Sequence, residues 1–97
     1  MDLPEFEVLI TDEGRAGTVE YRERGFSLPL WWEFTMTEAW IWAPSPSQWD
    51  DYWRSKGASG AVGRRQEILE RVASETKRKR AESAVTEVES DGVHLKF

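Results

Sequence analysis

Leu28-Pro29-Leu30-Trp31-Trp32-Glu33-Phe34 decides how this chain folds. Leu28, Leu30, Trp32 and Phe34 recur at period two and share one face of a strand. Trp31 must then face the other way, beside Glu33. Pro29 has no N–H to give to a ladder, so that end of the strand lies at an edge or near its start. A second period-two run follows. In Ala39-Trp40-Ile41-Trp42-Ala43, Trp40 and Trp42 share a face and Ile41 takes the other. Polar residues 35–38 make the turn between the two strands. Large aromatics therefore fall on both faces of whatever sheet these strands build.

Upstream, Phe6, Val8 and Ile10 alternate with Glu5, Glu7 and Leu9, which predicts a strand from about residue 5 to 11. Asp12-Glu13-Gly14-Arg15-Ala16-Gly17 reads as a turn. Thr18–Glu23 is the second strand, and Arg24-Gly25 turns into the third. Connections this short allow only antiparallel pairing, so the first four strands form a meander.

Downstream, Pro44-Ser45-Pro46-Ser47 changes the period. Ser45 is the expected N-cap, with Pro46 at the first helical position and Gln48 at the capping-box spacing. Trp49, Tyr52 and Trp53 then fall on one helix face. Asp50 and Asp51 suit the helix N-terminus and Gly57 its end. A longer helix spans roughly residues 61–81. Its buried stripe is Ala61/Val62, Ile68/Leu69 and Val72/Ala73, with Glu67–Arg71 and Glu75–Lys79 as i,i+4 pairs. Lys77 to Arg80 end it with cations that complement the dipole. Residues 84–97 read as a hairpin turning at Ser90-Asp91-Gly92. The order is ββββ-αα-ββ, an α+β fold with a single antiparallel sheet and two helices packed on one face. The pattern does not say where the last two strands join the first four.

The chain has 97 residues, one domain's length, with 39% hydrophobic and 32% charged residues, the balance of a folded protein. The absence of Cys excludes a disulfide framework, a thiolate metal site and a cysteine nucleophile. Met1-Asp2-Leu3-Pro4-Glu5 is acidic and is not expected to be a signal peptide. No stretch is apolar enough to span a membrane, and a cytoplasmic location is expected. A net charge of −5 disfavours nucleic acid and suits a basic protein partner.

Trp32-Glu33-Phe34, Trp42-Ala43-Pro44-Ser45-Pro46 with Trp49-Asp50, and Gly63-Arg64-Arg65-Gln66-Glu67-Ile68-Leu69-Glu70-Arg71-Val72-Ala73 resemble the pattern of a group of small bacterial proteins with no established activity. The resemblance covers roughly residues 18–97. It implies a compact bacterial cytosolic domain and transfers no functional residue.

No catalytic constellation emerges. Asp50 and Asp51 are adjacent on a helix and diverge by about 100°, which suits helix-terminus electrostatics better than an acid/base pair. Glu33 is a carboxylate without a partner in the pattern. His94 faces away from Val93 and Leu95, the position of a solvated residue. With one His and no Cys, no metal site and no cofactor is expected. Gly57, Gly60 and Gly63 before Arg64 and Arg65 offer an anion-binding candidate at a helix start, but they match no phosphate-loop fingerprint.

The leading expectation is a non-catalytic domain that binds a protein or itself through Trp31, Glu33, Trp40 and Trp42. Two helices can cover only one sheet face, which leaves these side chains to a partner. One concrete form is an immunity- or inhibitor-type protein against a basic toxin. The alternative is a small-ligand module or enzyme with a pocket between sheet and helices, lined by Trp49 and Trp53. A third is an anion or nucleic-acid contact through Arg64, Arg65 and Lys77–Arg80.

Overall fold

The computed structural model describes residues 6–97. Glu5, assigned above to the first strand, and the Met1–Glu5 segment lie outside the described residues. The elements are β1 (Phe6–Glu13), β2 (Ala16–Glu23), β3 (Phe26–Phe34), β4 (Glu38–Trp42), α1 (Trp49–Ser55), a 3₁₀ turn (Ser59–Ala61), α2 (Arg65–Arg80), β5 (Val85–Glu89) and β6 (Gly92–Lys96). All six strands form one antiparallel sheet in the order β1-β2-β3-β4-β6-β5. The meander and the final hairpin are present as the alternation predicts. The hairpin returns past both helices and seats β6 against β4, so β1 and β5 are the edges.

The inner face holds Val8, Val19, Tyr21, Leu28, Leu30, Trp32, Ile41 and Leu95, all buried. Ile68, Leu69, Val72 and Ala73 of α2 and Trp49 and Trp53 of α1 join the same core. The i,i+3,i+4 stripe thus puts α2 over the sheet, and burial of its apolar side chains supplies the main stabilisation.

Several local expectations give way to the structure. The first turn is only Gly14-Arg15, and Gly17 lies inside β2 opposite Trp32. A Cβ at Gly17 would sit 1.8 Å from the Thr11 carbonyl oxygen and 2.9 Å from Trp32 Nε1. Gly17 therefore serves close packing under the indole, whose N–H reaches Thr11 O at 3.3 Å. Ser45 does not cap α1. The helix begins four residues later, with Gln48 at the N-cap and no side-chain cap. The Ser45 carbonyl instead accepts from the N–H groups of Gln48 and Trp49 in a preceding turn. Helix α2 starts at Arg65, because Val62 is extended and Gly63 has φ of 75°. Ala61 is still buried, but from the 3₁₀ turn. Glu75 pairs with Arg78 at 2.7 Å, and Lys79 reaches Val8 O at 2.6 Å.

Candidate binding surface

The antiparallel register assembles the outer face of the sheet. Trp31 lies opposite Trp42, Glu33 opposite Trp40, and Trp40 opposite His94, which lies opposite Glu87. Sequence period and register together gather Trp31, Trp40 and Trp42 into one aromatic cluster. Both helices pack on the inner face. Trp31 stays 49% exposed and Trp42 39%, while Trp40 is half-buried. The indole N–H of Trp31 donates to Glu33 Oε1 at 3.0 Å, fixing the ring beside an exposed carboxylate.

His94 departs from the solvated position expected of it. It stacks on Trp40 with ring centroids 5.2 Å apart and planes 11° from parallel. Its side chain is 13% exposed, and Nε2 lies 3.2 Å from Glu38 Oε1 without the alignment of a hydrogen bond. The cause is register: a histidine across from a tryptophan is covered by the larger ring.

The aromatic cluster runs into a groove of about 360 Å³ where β4 ends and β3 continues. Trp31 and Trp42 form one side, and Pro44, Tyr52 and Trp53 the other, with Pro29 at the end. The Phe34 N–H bonds Arg15 O in the turn just before β2, so Trp31 and Pro29 turn their backbone toward the β4 side. Beyond Trp42 that side has no strand, which is why a proline is tolerated at position 29. The helical period sets Tyr52 on the same face as Trp49 and Trp53. It is nevertheless 43% exposed and lies edge-on to Trp53 at 4.7 Å, with Lys56 Nζ 5.6 Å from its centroid. The i,i+4 tryptophans take the centre of the buried stripe and leave Tyr52 on its flank. Pro29 and Tyr52 thus belong to the surface, and only tertiary packing reveals them.

Of the two tryptophans the alternative placed in a pocket between sheet and helices, Trp53 lines this groove between β3, β4 and α1, and Trp49 does not. Trp49 is fully buried and donates to Ala61 O at 2.8 Å. Trp53 is equally buried and supplies one wall of the groove, with its Nε1 unpartnered among the described residues. A smaller crevice of about 170 Å³ does lie between sheet and α2. Trp32, Phe34, Leu95, Phe97 and Thr76 are among its walls, and Asp12 and Arg80, paired at 2.9 Å, also line it.

Arg64 and Arg65 are separated by their contacts. Arg64 grips Glu23 at 2.6 Å and Glu67 at 2.8 Å. Arg65 donates to the carbonyls of Pro44, Glu89 and Ser90. Both guanidiniums are committed to internal acceptors. Arg71 completes the first group, bonding the Tyr21 hydroxyl at 3.0 Å and Glu67 at 3.2 Å. Tyr21 also donates to Glu23. The Arg64 guanidinium holds the Glu23 carboxyl below the usual range. Burial, and then the Glu23 carboxylate, push the Tyr21 hydroxyl up to about 12. This network ties α2 to β2.

No group of acidic and histidine side chains among the described residues is arranged to hold a metal ion. No described helix is long and apolar enough to cross a membrane. No protein-family model, curated protein or solved structure matches the chain.

Proposed function

We propose that the chain is a non-catalytic binding domain that docks a basic protein partner on the outer sheet face. Trp31, Trp40 and Trp42 are the anchors, and Glu33 lies at the rim. The half-exposed Trp31–Trp42 pair, on a face that neither helix covers, carries this reading. Aromatic anchors of this kind supply binding energy when they lose water at the centre of an interface. Glu38, Glu87 and Glu89 also border the cluster, against Lys96 as the nearest cation on that face, so electrostatics favours a basic partner. It also disfavours a second copy placed face to face. A basic toxin is one partner of this chemistry. In line with the resemblance to small bacterial proteins, the domain acts in the cytoplasm.

The test compares proteins captured by the native chain with those captured by a W31A/W42A chain. A basic partner lost on the double substitution supports the proposal, and its undiminished retention overturns it. Sedimentation at several concentrations identifies self-association, the outcome in which the partner is a second copy.

The inner crevice supports a second reading, a small-ligand module. An apolar cavity of ~150 Å³ can take up benzene, and the unpartnered, fully buried hydroxyl of Thr76 sits in the crevice wall. Chemical-shift changes at Thr76 and Phe97 with added benzene or indole would support it. Unchanged spectra at saturating ligand would remove it.

A further inference from the structure

The two edges of the sheet are treated differently, and the difference points to a second binding site. Hydrogen-bond parity decides which backbone groups face outward at each edge. Phe34 N bonds Arg15 O, so Gly17, Val19 and Tyr21 turn to β3, and Thr18 and Glu20 turn to β1. Their partners Thr11 and Leu9 face β2, which leaves Val8 and Ile10 facing outward. Phe6 and Asp12 share this parity, and the two central carbonyls, those of Val8 and Ile10, are taken by α2. Lys79 Nζ donates to Val8 O at 2.6 Å, and Arg80 Nη2 reaches Ile10 O at 3.5 Å. Long cations laid along an edge block the addition of another strand.

At the other edge, Ala43 N bonds Asp91 O, so Val93 and Leu95 turn to β4 while Gly92, His94 and Lys96 turn to β5. Glu89, Glu87 and Val85 face them, so Thr86 and Val88 point their N–H and C=O outward. No described residue bonds those four groups. The opening is bounded. Ala84 N–H is bonded to Ala81 O, and Ser90 O accepts from Arg65. A groove of about 400 Å³ runs along the inner side of this edge, with Ala73, Thr86 and Val88 in its walls beside the polar Gln66, Glu70, Ser74 and Lys77.

We propose that the β5 edge accepts an extended segment of a partner protein in which basic residues alternate with small apolar ones. The alternation follows from the pleat. Residues across from Thr86 and Val88 project toward the part of the groove bounded by Ala73 and Val88, where small apolar side chains meet apolar neighbours. Residues across from Glu87 and Glu89 project to the outer face, where lysine or arginine completes opposite-charge cross-strand pairs. A second copy fits less well: centred on Thr86 it would set Val88 against Ala84, whose N–H is already bonded to Ala81 O. Antiparallel pairing of β5 with itself through Val88 sets Glu87 against either Glu87 or Glu89 of the other copy. Like charges directly opposite destabilise such a pair. The mode is strand addition: main-chain bonds supply affinity and alternate side chains supply selectivity. It does not depend on the tryptophan face.

The experiment uses an octapeptide of alternating lysine and valine, with a glutamate–valine octapeptide as control. Hydrogen exchange is followed amide by amide on the full chain. The lysine peptide is expected to slow exchange at Thr86 and Val88 and to leave Val8 and Ile10 unchanged. E87K/E89K should weaken its binding by about tenfold or more and admit the glutamate peptide, because both cross-strand charge pairs reverse. Val88→Pro removes an outward donor without touching the ladder to β6, and it should also abolish binding while circular dichroism stays native. W31A/W42A should leave the peptide bound, which separates this site from the tryptophan face. No slowing at Thr86 and Val88, equal binding by E87K/E89K, or protection of these amides by dimerisation without peptide would each overturn the proposal.

Discussion

The two faces of the sheet carry three tryptophans apiece and use them in opposite ways. Trp32, with Trp49 and Trp53 from α1, belongs to the inner side, and each is less than 5% exposed. Trp31, Trp40 and Trp42 stand on the outer side, where Trp31 and Trp42 keep much of their surface in water. The same residue type therefore closes the core on one side and is offered to solvent on the other. An indole contributes to folding only where something covers it, and here both helices went to one face. Measurements that treat inner and outer tryptophans alike, or apart, test this division directly.

The largest effect is expected inside. Trp49→Ala removes a fully buried indole that touches Trp53 edge-on and donates to Ala61 O. It should cost roughly 3–5 kcal/mol, read from urea or thermal unfolding. A loss comparable to that of an exposed residue would mean that α1 is not packed as described.

Next comes the link between α2 and the inner face of β2. Glu23→Gln weakens the bonds to Arg64 and Arg71 together and should cost about 2 kcal/mol at neutral pH. The sign of the pH dependence follows from linkage. The folded carboxyl lies below its ordinary value of 4.5, so its contribution is full above that pH and is lost as pH falls through the folded value. The acid limb of the stability curve should flatten in Glu23→Gln. Tyr21 works in the other direction. Its hydroxyl is raised from 10.0 to about 12, so its contribution is full below pH 10 and is lost as pH rises toward 12. Phenolate absorbance should show this tyrosine titrating near pH 12, well above its ordinary value of 10.0.

A smaller inner-face effect has the opposite sign. Thr76 is fully buried, and its hydroxyl has no partner among the described residues. Thr76→Val keeps the shape and removes the orphan polar atom. It should stabilise by up to about 1 kcal/mol. Destabilisation would mean that the hydroxyl has a partner, for example a bound molecule in the inner crevice.

Much of this division was legible in the chain. Period two in Leu28–Phe34 and Ala39–Ala43 separates Trp32 from Trp31, Trp40 and Trp42, because alternation is a local property of an extended backbone. What was not legible depends on partners distant in sequence. Nothing local to residues 84–97 says that β6 pairs with β4. His94 looks solvated until Trp40 is placed across from it. Tyr52 shares a helix face with Trp49 and Trp53, yet those two occupy the space. Arg64 and Arg65 look like a free cationic pair until Glu23 and the carbonyls of residues 44, 89 and 90 arrive from elsewhere in the fold. Ser45 has the right residue types around it for a cap, and the chain spends them on a turn before the helix.

The smallest change in stability is expected outside, and it is the most informative about function. Trp31→Ala and Trp42→Ala each remove a side chain that already meets water, so each should cost about 0.5 kcal/mol or less. Far more would mean that the outer indoles support the sheet by packing on each other across β3 and β4. Fluorescence quenching by acrylamide gives the companion measurement. The free chain should contain a quenchable population that shrinks in the W31A/W42A chain, and a protected population from Trp32, Trp49 and Trp53. Adding the true partner should protect the first population and leave the second unchanged. If the quenchable population is already absent in the free protein at working concentration, then another copy covers Trp31 and Trp42, and the outer face is a self-association surface.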